Sequence, residues 1–316
     1  MALSGRTVDA RRRDCISGRA SMNALLGFGV SGPHGARWFA EKKLTRLIAQ
    51  AIDGGVRDFD TAPFYGDAQL RLGRALRSIG AREILVSTKT GTRRAGLRAV
   101  KDFSANAIRA DVEGSLKGLG REFLDTLYLH GPAPAEIDAA LPVLRALQAE
   151  GTVRRIGVCG EGAALDHALA SGFDAIMGVF NVIDRRHEGV FSRARARGVQ
   201  TVAIAPLAQG AFAKQSAPRS ASDAWRLARA TMRGGARSKS NAEKKASEAL
   251  SAVESLSPSG AALAFVLQGG LASLALTTTS NAAHLAEALA AIKHSLDVET
   301  MARLTALALD PAGRRS

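Results

Sequence analysis

The sequence predicts one (β/α)8 TIM barrel of the α/β class, on three observations. Eight short β-type runs alternate with longer helical patterns between residues 24 and 278, the signature of a parallel sheet joined by crossover helices. Glycines close the helical patterns at Gly54-Gly55, Gly80, Gly120, Gly151, Gly172 and Gly198, where a left-handed residue can end a helix. The 316 residues suit one barrel of roughly 250 residues with insertions and do not demand two domains.

In chain order, the first strand is read at 24–30 (ALLGFGV), before a helix over 41–53. The second, 56–60 (VRDFD), enters a loop before helix 67–79. The third, 83–89 (EILVSTK), precedes helix 104–119, with Ser104 as its N-cap and Ile108, Val112, Leu116 and Leu119 on one face. The fourth, 125–130 (DTLYLH), is followed by helix 138–150. The fifth (154–159) and sixth (174–180) are followed by helices 161–171 and 185–197, and strands at 200–205 and 272–278 complete the set. The polar segment 208–256 interrupts the alternation. Such a connection at a barrel mouth reads either as a lid or cofactor clamp or as a solvated helix pair.

Residues 24–316 are thus expected to be the barrel, with 208–256 as its insertion. Residues 1–23 carry Arg6, Arg11, Arg12, Arg13 and Arg19 against Asp9 and Asp14. They read as a disordered basic extension or as sequence ahead of a start at Met22, with a transit peptide as the weaker alternative. Gly27-Phe28-Gly29 followed by Gly32 comes near a dinucleotide-binding fingerprint. The acidic residue required after a second strand is missing, and that reading is rejected.

Composition excludes several functions. The net charge of +14 is spread as arginine over many helices, and aromatics are 5% of the chain, too sparse for a base-stacking platform, so no nucleic-acid partner is expected. No apolar run approaches the ~20 residues of a membrane span, and a cytoplasmic protein is the simple expectation. Cys15 and Cys159 make neither a disulfide framework nor a metal spacing. His34, His167, His187, His284 and His294 show no ligand spacing either, and no metal is expected. Cys159 lacks an evident base and reads as a structural thiol.

The strand ends carry the chemistry. The second strand ends at Asp60 and its loop carries Tyr65; the third ends at Lys89 and the fourth at His130. A phenol, with a reference pKa near ~10, exchanges protons poorly at neutral pH, and a nearby ammonium favours its phenolate. A carboxylate keeps that ammonium charged and oriented, and a neutral imidazole can hydrogen-bond a carbonyl oxygen. Such a set moves a proton to or from an alcohol oxygen while a nicotinamide moves hydride. Singly, Asp60 could cap a turn, Tyr65 could be a packed loop aromatic, Lys89 a strand-end charge and His130 a core histidine. Their convergence at one mouth favours the joint reading.

On these residues the chain resembles the aldo-keto reductases. Gly55-Val-Arg-Asp-Phe-Asp-Thr-Ala-Pro-Phe-Tyr-Gly66 looks like the strand-two signature of that family. Its wording, with Phe180-Asn181-Val-Ile-Asp-Arg-Arg186, is nearest the aldose and pyridoxal dehydrogenase branch. The likeness runs through Ser87-Thr-Lys89, Leu129-His130 and Ile204-Ala-Pro-Leu-Ala-Gln-Gly210 to His284-Leu-Ala-Glu287. It implies Tyr65 as acid/base, Lys89 as its tuner, Asp60 as the lysine's partner and His130 as the carbonyl-orienting group. NAD or NADP is the implied cofactor, held by Asn181, Pro206, Leu207, Gln209, Gly210, Thr279, Ser280, His284 and Glu287.

Departures from the family pattern fall on the cofactor side. Cys159-Gly160 stands where the family has Ser-Asn, Met177 for a glutamine that holds the nicotinamide amide, and Ile204 for an aromatic that stacks on the ring. Thr278, Thr279 and Ser280 replace cations that grip a 2′-phosphate, which favours NAD or weak binding of either cofactor. Two functions are carried forward. One is a reductase or dehydrogenase of a small aldehyde, ketone or sugar. The other is a barrel that keeps the tetrad but acts as a binding or regulatory protein.

Overall fold

The computed structural model describes residues 25–208 apart from 97, then 221, 222 and 224, and 241–307. The basic extension, Gln209, Gly210 and most of the 208–256 insertion lie outside the described residues.

Eight parallel strands close into a barrel: β1 (Leu25–Gly29), β2 (Asp58–Asp60), β3 (Leu85–Thr90), β6 (Thr126–His130), β7 (Ile156–Cys159), β8 (Ala175–Val179), β9 (Gln200–Ile204) and β10 (Leu274–Thr277). The order around the barrel is β1-β10-β9-β8-β7-β6-β3-β2, with β1 pairing both β2 and β10 to complete the ring. Between β3 and β6 stands an antiparallel hairpin, β4 (Thr92–Ala95) and β5 (Arg98–Lys101). The crossover helices are α1 (Glu41–Asp53), α2 (Ala68–Ile79), α3 (Ala105–Leu119), α4 (Pro134–Ala149), α5 (Ala163–Ala170) and α6 (Glu188–Ala196). They are followed by α7 (Asn241–Ser251), α8 (Pro258–Gln268), α9 (Ala282–Ala291) and α10 (Val298–Thr305).

Strand alternation sorts the side chains into two cores. Phe28, Phe59, Val86, Leu127, Leu129, Val158, Ile176, Ala203 and Ala275 point outward and pack with the helices. Tyr128, Cys159, Met177, Val202, Leu274 and Leu276 fill the barrel interior, where each strand contributes every second residue. Gly27 and Gly157 lie among them: a Cβ would sit 2.6 Å from the Leu276 side chain at Gly27 and 2.5 Å from Tyr128 at Gly157. The glycines therefore make room for bulky neighbours.

The helix ends follow local chemistry. Ser104 caps α3, its hydroxyl accepting from the Ala107 N–H at 3.3 Å, an interaction whose loss typically costs about 1 kcal/mol. Helix α4 begins at Pro134, four residues ahead of the predicted 138, because proline is preset for the first helical position. Glu136 supports that start by accepting from the Ala133 N–H at 2.7 Å. The hairpin and the last three helices were not read from the sequence. Helix α7 falls inside the 208–256 insertion and buries Ala246 and Leu250.

Candidate active site

Alternation sends Asp60, Lys89 and His130 to the barrel interior, at the C-terminal ends of the neighbouring strands β2, β3 and β6. Lys89 is the second-last residue of β3 rather than its end. Lys89 is 2% exposed and Asp60 5%, so neither charge could be tolerated alone. They form a direct ion pair, the Lys89 ammonium donating to Asp60 Oδ2 and also to the Thr61 carbonyl at 3.1 Å. Ser87, two residues before Lys89, donates to the other Asp60 oxygen at 2.9 Å. Ser87 was not singled out from the sequence, although its place two residues before an inward lysine is the signal for it.

Tyr65 closes a short 3-10 turn, Pro63–Tyr65, directly after β2. The turn brings the Lys89 ammonium within 5.2 Å of the Tyr65 ring centre. The Tyr65 and His130 rings stand edge to face at 6.1 Å, and Phe64 faces His130 in the same way at 5.9 Å. All four predicted catalytic residues are thus gathered at one mouth.

Their electrostatics differ from the simplest expectation in one respect. Burial raises the Tyr65 phenol above its ordinary value; Lys89 pulls it down but does not prevail. Burial opposes the Lys89 ammonium, yet Asp60, joined by Tyr65 where the phenol ionises, outweighs it and holds the lysine above its usual range. Burial, followed by Lys89 and Lys101, lowers His130 to about 3. At neutral pH the set is therefore a protonated phenol, an ammonium bound to Asp60 and a neutral imidazole. His130 Nδ1 is buried and has no hydrogen-bond partner among the described residues.

The remaining interior at this level is apolar. Cys159 pairs with His130 and with Met177, and Val179 on β8 pairs with Ile204 on β9. Met177 is 1% exposed and packs with Cys159 and Val202, with Ile204 at the edge of the cluster. Burial raises the Cys159 thiol to about 11, as expected of a structural thiol rather than a nucleophile.

The predicted cofactor residues separate into groups. Pro206 and Leu207 lie between Ala205 and Ala208, two non-glycine residues with φ of 52° and 47°, an uncommon backbone for residues with a Cβ. Thr279 and Ser280 are half-buried between β10 and α9, and His284 is exposed on the first turn of α9. The side chains of Asn181 and Glu287 already have partners. Asn181 donates to the Ala205 carbonyl at 3.1 Å and accepts from the Ile183 and Asp184 N–H groups. Glu287 accepts from Ser257, the N-cap of α8, at 3.1 Å.

His34 and Gly35, not picked out from the sequence, tie three of these loops together. His34 is fully buried, and its Nε2 lies 3.0 Å from the Thr279 carbonyl. Arg71 donates to the His34 and Phe39 carbonyls, and the Asp67 N–H donates to Gly35 at 3.1 Å. The loop after β1 thus braces both the Tyr65 turn and the Thr278–Ser280 segment. Among the described residues, no cluster of histidine, cysteine and acidic side chains could hold a metal ion. No helix there is long and apolar enough to cross a membrane.

The model of the aldo/keto reductase family matches residues 25–309. The chain is 28% identical to L-galactose dehydrogenase of Arabidopsis thaliana, over 62% of this chain and 65% of that protein. It is 33% identical to D-threo-aldose 1-dehydrogenase of a Pseudomonas species, over 42% and 49%. These matches span about half to two thirds of the curated relatives' length. The structure of an aldo-keto reductase from Bacillus halodurans in its holo form superposes with a TM-score of 0.75 at 22% identity, over 92% of this chain and 95% of that one, a likeness of fold.

Proposed function

The chain belongs to the aldo/keto reductase family, and from that premise we propose that it interconverts a carbonyl (an aldehyde, ketone or sugar) and its alcohol, using NAD or NADP, with Tyr65 as general acid and base. The observation that carries this reading is the joint position of Tyr65 and His130 over the buried Lys89–Asp60 pair. Relatives named as sugar dehydrogenases support the same class of reaction.

In the reducing direction the protonated Tyr65 phenol gives its proton to the substrate oxygen. The Lys89 ammonium stabilises the phenolate left behind, and Asp60 and Ser87 hold that ammonium in position. Neutral His130 hydrogen-bonds the substrate oxygen where negative charge develops. In oxidation, Tyr65 takes the proton back. A bound nicotinamide supplies or accepts the hydride, which no side chain can do.

The residues present fit such a cofactor. Cys159, Met177 and Ile204 form an apolar wall beside His130 suited to a flat ring. Pro206 and Leu207 would flank it, with Thr279, Ser280 and His284 toward its phosphates near the start of α9; Gln209 and Gly210, which the resemblance also implies, lie outside the described residues. Asn181 and Glu287 act by holding the neighbouring loop and helix in place. With no cation on Thr278–Ser280, NAD is favoured over NADP.

The buried, apolar Met177 offers no amide to the nicotinamide carboxamide and favours the second reading, a binding or regulatory barrel. Fluorescence titration with NADH and NADPH separately distinguishes the two. Saturable binding, tighter for NADH, supports the oxidoreductase. No binding of either at millimolar concentration overturns it and leaves the binding protein.

A further inference from the structure

The hairpin β4–β5 takes no part in closing the barrel, and its register fixes what each face carries. Directly paired residues share a face and faces alternate along a strand. Thr92 opposes Lys101 and Arg94 opposes Ala99 on one face; Arg93 opposes Val100 on the other. Arg93 is bound to Asp111 and to the Ala107 carbonyl of α3, so that face turns toward the helices. On the opposite face Thr92 donates to the His130 carbonyl at 2.6 Å, and the Lys101 ammonium donates to the Gly131 carbonyl. Strand β4 also packs on the Pro63–Tyr65 turn. The face bearing Arg94 therefore overlooks the catalytic mouth.

Arg94 lies one pleat repeat beyond Thr92, roughly 7 Å along the strand. It is exposed, and among the described residues it has no ion-pair or hydrogen-bond partner. Lys101 is engaged by a neutral carbonyl, so its charge adds to the field at the mouth. Phe64, standing against both Tyr65 and His130, offers an apolar wall between the two ends.

We infer that Arg94 is a specificity-determining residue, selecting carbonyl substrates that carry a carboxylate away from the reacting carbon. The inference rests on the oxidoreductase reading above. One free guanidinium fork matches one carboxylate in a two-bond pair, while the carbonyl end of the same molecule reaches Tyr65 and His130.

The test compares 4-formylbenzoate with 4-formylbenzamide, which share a shape and differ in charge. In the wild type, kcat/KM favours the carboxylate, and raising the salt concentration narrows the preference. Arg94→Ala lowers the carboxylate-to-amide ratio by roughly fivefold, in the range of an exposed charge pair. Arg94→Lys recovers part of it and Arg94→Glu inverts it. A ratio unchanged in all three variants overturns the inference. Calorimetric binding of the same two aldehydes is measured in parallel. If neither is turned over, the oxidoreductase reading fails, and the binding ratio alone decides whether Arg94 selects anions.

Discussion

Gly35 stands so close to Tyr65 that a Cβ on it would lie 1.6 Å from the Tyr65 carbonyl oxygen. The loops after β1 and β2 thus touch backbone to backbone at the residue that carries the phenol. Gly35→Ala should displace the Tyr65 turn while leaving the barrel folded. The expected result is a fall in kcat of about a hundredfold, the usual scale for a misplacement near 1 Å, with an unchanged far-ultraviolet circular dichroism spectrum. Activity within twofold of wild type would mean that the loop absorbs the methyl group without moving Tyr65.

The Lys89–Asp60 pair should be costly to break from one side. Lys89→Met leaves the buried Asp60 charge uncompensated, a loss of about 3–5 kcal/mol. The double variant Lys89→Met with Asp60→Asn should recover much of that loss, because no lone charge remains, yet stay inactive. Urea denaturation of the wild type, Lys89→Met, Asp60→Asn and the double variant checks this. Additive losses would show that the two charges do not depend on each other.

Acid should destabilise the chain through two imidazoles. Burial lowers His130 to about 3 and His34 to about 4, against an ordinary 6.5. Between these limits the unfolded chain binds protons that the folded chain refuses, so stability is full above pH 6.5 and falls as pH drops toward 4 and 3. Each group contributes a slope of up to about 1.4 kcal/mol per pH unit. His34→Gln and His130→Gln should each flatten the decline in urea midpoint between pH 6.5 and pH 4.5. An unchanged slope in both would place the acid sensitivity elsewhere.

Ser280 is half-buried beside Thr279, whose carbonyl is pinned by His34. A cation there should meet a 2′-phosphate: Ser280→Arg is expected to tighten NADPH about tenfold while changing NADH little. Equal changes for both nucleotides in a fluorescence titration would mean that this position does not face the 2′-group.

The eight strands were legible because inward and outward residues alternate and glycines end the intervening helices. The tetrad was legible because Asp60 and His130 fall at strand ends and Lys89 one residue short of one, positions a barrel turns toward its mouth. The hairpin was not, since Thr92–Lys101 is basic on both faces and shows no apolar alternation. His34 and Gly35 act through contacts with residues far along the chain, Thr279 in one case and the Tyr65 turn in the other, which a local pattern cannot register. Asn181 and Glu287 read as cofactor contacts through the motifs Phe180–Arg186 and His284–Glu287 that carry the family resemblance. The structure adds that Asn181 also donates to the Ala205 carbonyl and Glu287 also accepts from Ser257, contacts that tie loop to loop and helix to helix.

The most direct test of the account is turnover by Tyr65→Phe beside the wild type, with NADH and a panel of aldehydes and sugars. The variant keeps the ring against His130 and loses only the transferable proton. It should bind nucleotide as the wild type does and turn over at least a hundredfold more slowly, the lower end of what general acid catalysis supplies. Turnover at the wild-type rate would contradict the account and remove Tyr65 from the proton-transfer role.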